Sequence, residues 1–132
     1  MNYPKHTQGQ ECEGCNERMK EAHVMLQSFF SQLKDKYNDV HVSCVYRNKE
    51  DQDKAFLLGG SKLRYPHSKH NKVPSEAIDI FQINENGKAI FNREFLAMAF
   101  DFSKEIGLDL RWGGKFKSLG DFCHYELRKV SK

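Results

Sequence analysis

The sequence predicts an α+β domain with a small, mostly antiparallel sheet covered by helices. Three observations carry this. The elements read in the order helix, strand, helix, hairpin, helix, strand, strand, an order that implies α+β. Apolar residues recur at three- and four-residue steps in two long segments but alternate at two-residue steps in the short ones between them. Asn86-Gly87 lies between two apolar runs and is a strong hairpin signal. The 132 residues fit one domain spanning 1–132, with one core and no separate substrate-binding module.

Residues 1–10 are polar, read as flexible, and contain no apolar signal core, so no secretory signal is visible. Met19, Ala22, Leu26, Phe29, Phe30, Leu33 and Tyr37 share one helical face and predict one long helix over 12–37. Asn38-Asp39 marks a turn, and Val40 to Val45 reads as a strand with Val40, Val42 and Cys44 on one face. A short helix over 49–58 stops at Gly59-Gly60. A long basic loop, 61–75, follows, with Lys62, Arg64, Lys69, Lys72, His67 and His70. Such a loop is ordinarily just solvated. After the hairpin, Asn92 caps a helix reaching Ile106, with Phe95, Ala99, Phe102 and Ile106 buried and Gly107 ending it. Strands are expected over 108–112 and 123–127. Gly113-Gly114 opens a loop between them.

Composition narrows the function classes. A net charge of +3 is too weak to argue for a nucleic-acid partner. No run approaches the roughly 18 apolar residues of a membrane span, so stable membrane insertion is not expected. Cys12-Glu-Gly-Cys15 invites a zinc-ribbon or redox reading, but Cys44 and Cys123 supply no second pair and no strand precedes Cys12. The pair therefore reads as reduced thiols near a helix start, with a metal site or a disulfide as alternatives.

The chemistry centres on Ser68 to Asp79. His70 lies in a polar loop that runs into Ala77-Ile78-Asp79-Ile80-Phe81, and an aspartate in such a strand is costly unless its charge is matched. From the residues alone two accounts stand. Asp79 could bond backbone N–H groups while His70 is a solvated loop histidine. Alternatively, His70, Asp79 and His124 hold a metal, since two imidazoles and a carboxylate suit zinc with an open fourth position.

Ser68-x-His70, Ala77-x-Asp79, Trp112-Gly113-Gly114 and Asp121-x-x-His124-x-Glu126-Leu127 resemble zinc peptidases of the D-alanyl-D-alanine carboxypeptidase/VanY type, nearest to phage endolysin L-alanyl-D-glutamate peptidases. The resemblance covers about 39–128. In this chain Cys123 stands where proline is usual, and the loop from His70 to Asp79 is longer than the commonest form. The resemblance implies a hedgehog/DD-peptidase-like fold with one zinc ion on the open face of the sheet. It implies that His70, Asp79 and His124 bind the metal, that Asp121 is the catalytic base and that Arg47 anchors substrate or transition state. His67 ranks below His70 because the motif is Ser68-x-His70. Gln52 matches a recurrent position without assigned chemistry. Glu126 reads equally as an acceptor for a ligand imidazole or as a surface carboxylate, and Trp112 as cleft wall or as core.

The function so implied is hydrolysis of the peptidoglycan stem peptide at the L-alanyl-D-glutamate bond, for cell-wall degradation in bacteriophage lysis. The expected protein is a monomer, made in the host cytoplasm and acting on the wall after release. A D-alanyl-D-alanine carboxypeptidase is the alternative within enzymes. A non-catalytic metal-stabilised binding module is the alternative outside them, and it would need neither Asp121 nor Arg47.

Overall fold

The computed structural model describes residues 6–7, 12–115 and 121–128. In chain order they form helices α1 (Glu13–Met19) and α2 (Val24–Lys36), strand β1 (Val40–Cys44), helix α3 (Lys49–Leu57) and a 3-10 turn at Lys69–Asn71. Strands β2 (Ala77–Ile83) and β3 (Ala89–Ile90), helix α4 (Arg93–Glu105), strand β4 (Leu110–Trp112), a 3-10 turn at Gly113–Lys115 and strand β5 (His124–Leu127) follow. The expected flexible start, apart from His6 and Thr7, and the loop at 116–120 lie outside the described residues.

β2 organises the sheet. It pairs antiparallel with β1 on one side. On the other side its first half pairs with β5 and its last residues pair with β3. β4 completes the path β1-β2-β5-β4. The register sets Asp79 opposite His124 on β5 and Cys44 on β1. Alternation then decides the two faces. Ile78 and Ile80 join Val40, Val42, Tyr125 and Leu127 in a core with Leu26, Phe29 and Leu33 of α2 and Leu96 and Ala99 of α4. Each such large apolar side chain, fully buried, contributes about 1.5–3 kcal/mol. Asp79, one step out of phase with Ile78 and Ile80, projects from the opposite face.

Local signals place several ends. The Asn92 side chain accepts from the backbone N–H of Glu94 and Phe95, at 3.0 and 3.2 Å, and so caps α4. Gly107, at φ 83°, occupies the left-handed region that closes this helix. β4 and β5 are shorter than expected, starting at Leu110 and His124.

The single helix expected over 12–37 is two helices. Between them, the Glu21 carbonyl accepts from Ser75 N–H at 2.8 Å, and His23 N–H donates to the Ser75 carbonyl, also at 2.8 Å. This parallel bridge between Ala22 and Ser75 pulls four residues out of helical geometry. The His23 imidazole then restarts the helix by accepting from Met25 N–H at 3.1 Å. No helix among the described residues is long and apolar enough to cross a membrane.

Candidate active site

Three of the residues picked out by the motifs meet on the face of the sheet opposite α2 and α4. His70 comes from the first 3-10 turn, where the Ser68 hydroxyl accepts from His70 N–H at 3.2 Å and the Asn71 side chain accepts from Ser68 N–H at 3.1 Å. Asp79 and His124 come from paired positions on β2 and β5. Asp79 Oδ1 lies 3.3 Å from His70 Nε2 and 3.1 Å from His124 Nδ1, and the two nitrogens are 3.3 Å apart. Ligands about 2.0–2.2 Å from a tetrahedral zinc would be separated by about 3.3–3.5 Å, so these three atoms fit one face of such a site.

The far side of each ring is also engaged. His70 Nδ1–H donates to the Val45 carbonyl at 2.8 Å, which leaves the Nε2 lone pair for the shared point. His124 Nε2–H donates to Glu126 Oε1 at 2.8 Å, which leaves Nδ1 for it. Such partners fix tautomer and ring orientation in metal sites. Glu126 is thus not a surface carboxylate; its side chain is only 12% exposed and also faces Lys69 Nζ at 3.5 Å. Cys44 Sγ, 3.6 Å from His70 Nδ1, approaches the ring from the side held by Val45.

Charge accumulates here. Burial opposes the charged form of His70, but the Asp79 carboxylate outweighs it and raises the imidazole well above its ordinary pKa. Burial likewise opposes charge on His124, and hydrogen bonds to Asp79 and Glu126 win, lifting it to about 9. Burial would raise Asp79, yet the two imidazoles hold it below the usual carboxylate range. A buried carboxylate whose charge is matched on two sides is the donor set in which a divalent cation competes with protons.

The trio forms part of the lining of a cleft of about 580 Å³. Arg47, Asp121, Lys69, Arg111 and Glu126 also line it, as does His67. Arg47 is not a loose surface side chain. Its Nη1 donates to Gln52 Oε1 at 3.0 Å and its backbone N–H to the His70 carbonyl at 2.8 Å. Gln52 is fully buried, and its amide donates to the Ser61 hydroxyl and the Leu63 carbonyl at 2.9 and 2.6 Å. It is the positioning residue for Arg47, a role that spacing alone does not suggest. Lys69, expected in a solvated loop, instead donates to the Leu127 carbonyl.

Asp121 is placed by glycine. Its backbone N–H donates to the Gly113 carbonyl at 3.0 Å, and a Cβ built on Gly113 would collide with the Asp121 carbonyl oxygen and lie 2.9 Å from its Cβ. Only glycine permits this approach. Trp112 lies against the core rather than in the cleft, stacked on Phe100 at 5.7 Å, and its indole N–H donates to the Phe122 carbonyl at 2.7 Å. Trp112-Gly113 thus anchors the segment carrying Asp121 and His124.

A second cluster lies at the outer edge of β1. The donor atoms of His6, Cys12, Cys15 and His41 all fall within 4.8 Å of one another. The reading of Cys12 and Cys15 as plain thiols missed both histidines, because neither stands at a telling distance from the cysteines in sequence.

The architecture is an α+β domain with a small antiparallel sheet and four helices among the described residues. Among solved structures, the chain is similar to the crystal structure of the Serratia marcescens L-Ala D-Glu endopeptidase ChiX, with a TM-score of 0.70 and 22% identity over 86% of this chain and 85% of that one. No protein-family model and no curated protein sequence matches it.

Proposed function

We propose that the protein is a zinc-dependent peptidase of the peptidoglycan stem peptide, cutting the L-alanyl-D-glutamate bond as a phage endolysin does. The observation that carries the reading is the meeting of His70 Nε2, Asp79 Oδ1 and His124 Nδ1, 3.1–3.3 Å apart, in a cleft that also holds Asp121 and Arg47. The fold shared with an L-Ala D-Glu endopeptidase supports it.

His70, Asp79 and His124 would hold one zinc ion, which when bound supplies Lewis-acid activation of water and of the scissile carbonyl. Asp121 takes the proton from the attacking water and returns it to the leaving amine. The Arg47 guanidinium, fixed by Gln52, faces negative charge, either the developing oxyanion or a carboxylate of the substrate. Lys62 and Arg111 on the cleft wall add positive charge suited to a stem peptide rich in carboxylates. A structural metal site would need neither the base nor the arginine, which favours an enzyme over a binding module.

Digestion of purified muropeptides, with and without a chelator, tests the reading by mass spectrometry. Fragments beginning at D-glutamate, abolished by the chelator and restored by zinc, are expected. Release of terminal D-alanine instead would identify a carboxypeptidase, and chelator-resistant cleavage would remove the metal from the mechanism.

A further inference from the structure

We propose that His6, Cys12, Cys15 and His41 form a second, structural zinc site that clamps the N-terminal segment and α1 onto the edge of the sheet. The site is separate from the catalytic trio, and the proposal does not depend on the peptidase reading.

The geometry is that of a collapsed tetrahedron. His6 Nδ1 lies 3.2 Å from Cys15 Sγ and 3.6 Å from Cys12 Sγ, and Cys15 Sγ lies 3.4 Å from His41 Nδ1. Zinc–sulfur bonds of about 2.3 Å and zinc–nitrogen bonds of about 2.0–2.1 Å place neighbouring ligands about 3.3–3.8 Å apart. These three separations lie within a few tenths of an ångström of those values, and the remaining donor pairs lie within 4.8 Å. Two thiolates and two imidazoles form one of the donor sets of structural zinc. The four protein ligands fill the shell, so no position is left for substrate.

The sulfurs are also surrounded as metal-bound thiolates are. Thr7 N–H and Cys15 N–H point at Cys12 Sγ, at 3.3 and 3.4 Å, and Val42 N–H points at Cys15 Sγ at 3.3 Å. A neutral thiol is a weak acceptor, whereas backbone N–H groups directed at a thiolate make charge-assisted bonds. Cys12, Cys15 and His41 are fully buried. The His41 ring stacks on Phe81 at 5.7 Å, and the His6 ring packs edge-on against both at 5.1 and 5.2 Å. The buried His41 Nε2 has no hydrogen-bond partner among the described residues, and the polar engagement of this ring is on the Nδ1 side, toward the cluster. A Cys12–Cys15 disulfide would leave both imidazoles converging on nothing.

Binding replaces two thiol protons by Zn²⁺, giving a neutral centre and releasing two protons. With the metal on His6 Nδ1 the proton stays on Nε2, so the Arg18 guanidinium, 3.2 Å away, shifts aside on loading. The clamp has a structural purpose. β1 is an edge strand, and its outward Val42 N–H would otherwise be free to pair with another chain. β1 also leads directly into Val45 and Arg47, which hold His70.

The test is metal analysis of the full chain, purified under reducing conditions, followed by exchange of zinc for cobalt. About two zinc ions per chain are expected. The cobalt form should show a thiolate-to-metal charge-transfer band in the near ultraviolet, which ligation by His70, Asp79 and His124 cannot produce. Cys12→Ser/Cys15→Ser and His41→Ala should lose the band and one zinc, while His124→Ala and Cys44→Ser keep the band. Should the cysteine variant fail to fold, the wild-type cobalt spectrum still decides. No band in wild type, a Cys12–Cys15 disulfide with only one zinc, or a band that survives Cys12→Ser/Cys15→Ser would overturn the proposal.

Discussion

Two clusters of converging donor atoms flank the same sheet, and they differ in what surrounds them. At the cleft, two imidazoles and Asp79 meet at one point while a large open volume, Asp121 and Arg47 lie beside them. At the edge of β1, two sulfurs and two imidazoles meet among aromatic rings, and backbone amides of Thr7, Cys15 and Val42 point at the sulfurs. Similar spacing thus suits two different ends. A carboxylate-containing trio with a free side suits chemistry, and a thiolate-containing quartet with none suits stability.

The sharpest way to break this contrast is to remove one aspartate at a time. Asp121→Ala should lower muropeptide turnover by about 10²–10⁴ while zinc in the cleft stays bound. Asp79→Ala should lose both that metal and turnover. Zinc content and turnover measured side by side decide it; a zinc-free Asp121→Ala with a zinc-loaded Asp79→Ala would mean the two roles are exchanged.

A smaller effect is expected from the partner of His124. Glu126→Ala removes the acceptor at 2.8 Å that sets the imidazole's tautomer. Metal affinity of the cleft site should fall about 10–100-fold, read by competition with a chromophoric chelator. Unchanged affinity would return Glu126 to the role of a plain ion-pair partner of Lys69.

At the other cluster the loss should fall on stability instead. Cys12→Ser/Cys15→Ser should lower the melting temperature by on the order of 10 °C, yet keep near-normal turnover well below that temperature. A variant that melts like wild type but cannot hydrolyse muropeptides would join the two clusters into one functional unit.

The mildest test is pH. In metal-free protein, His124 is raised from 6.5 to about 9, its burial being outweighed by Asp79 and Glu126. A raised histidine contributes stability that is fully present below pH 6.5 and lost as pH climbs through about 9. Zinc binding requires the neutral imidazole, so the zinc-loaded protein should lose its metal, and the stability that goes with it, as pH falls. Melting curves of the two forms between these pH values should therefore slope in opposite directions, and parallel slopes would argue against His124 as a ligand.

What the sequence determined by itself is local. Asn92 and Gly107 bound α4, Asn86-Gly87 turns the hairpin, and alternation in 77–81 sends Ile78 and Ile80 to the core and Asp79 away from it, because caps, turns and pleat depend on residues a few positions apart. His70, Asp79 and His124 were nameable as candidates from their residue types and surroundings, whereas Asp121 and Arg47 entered only through the family resemblance. Tertiary structure decided whatever joins distant segments. Ser75 breaks the first helix through backbone bonds made some fifty residues away in sequence, and no helix-breaking residue in 20–23 announces it. Gln52 becomes the support of Arg47 only once α3 packs beneath the loop at Ser61 and Leu63. His6 and His41 join Cys12 and Cys15 only when α1 lies along the edge of β1. A metal shell is satisfied by positions in space, and a chain can bring four donors to one point without spacing them in any way that sequence alone reveals.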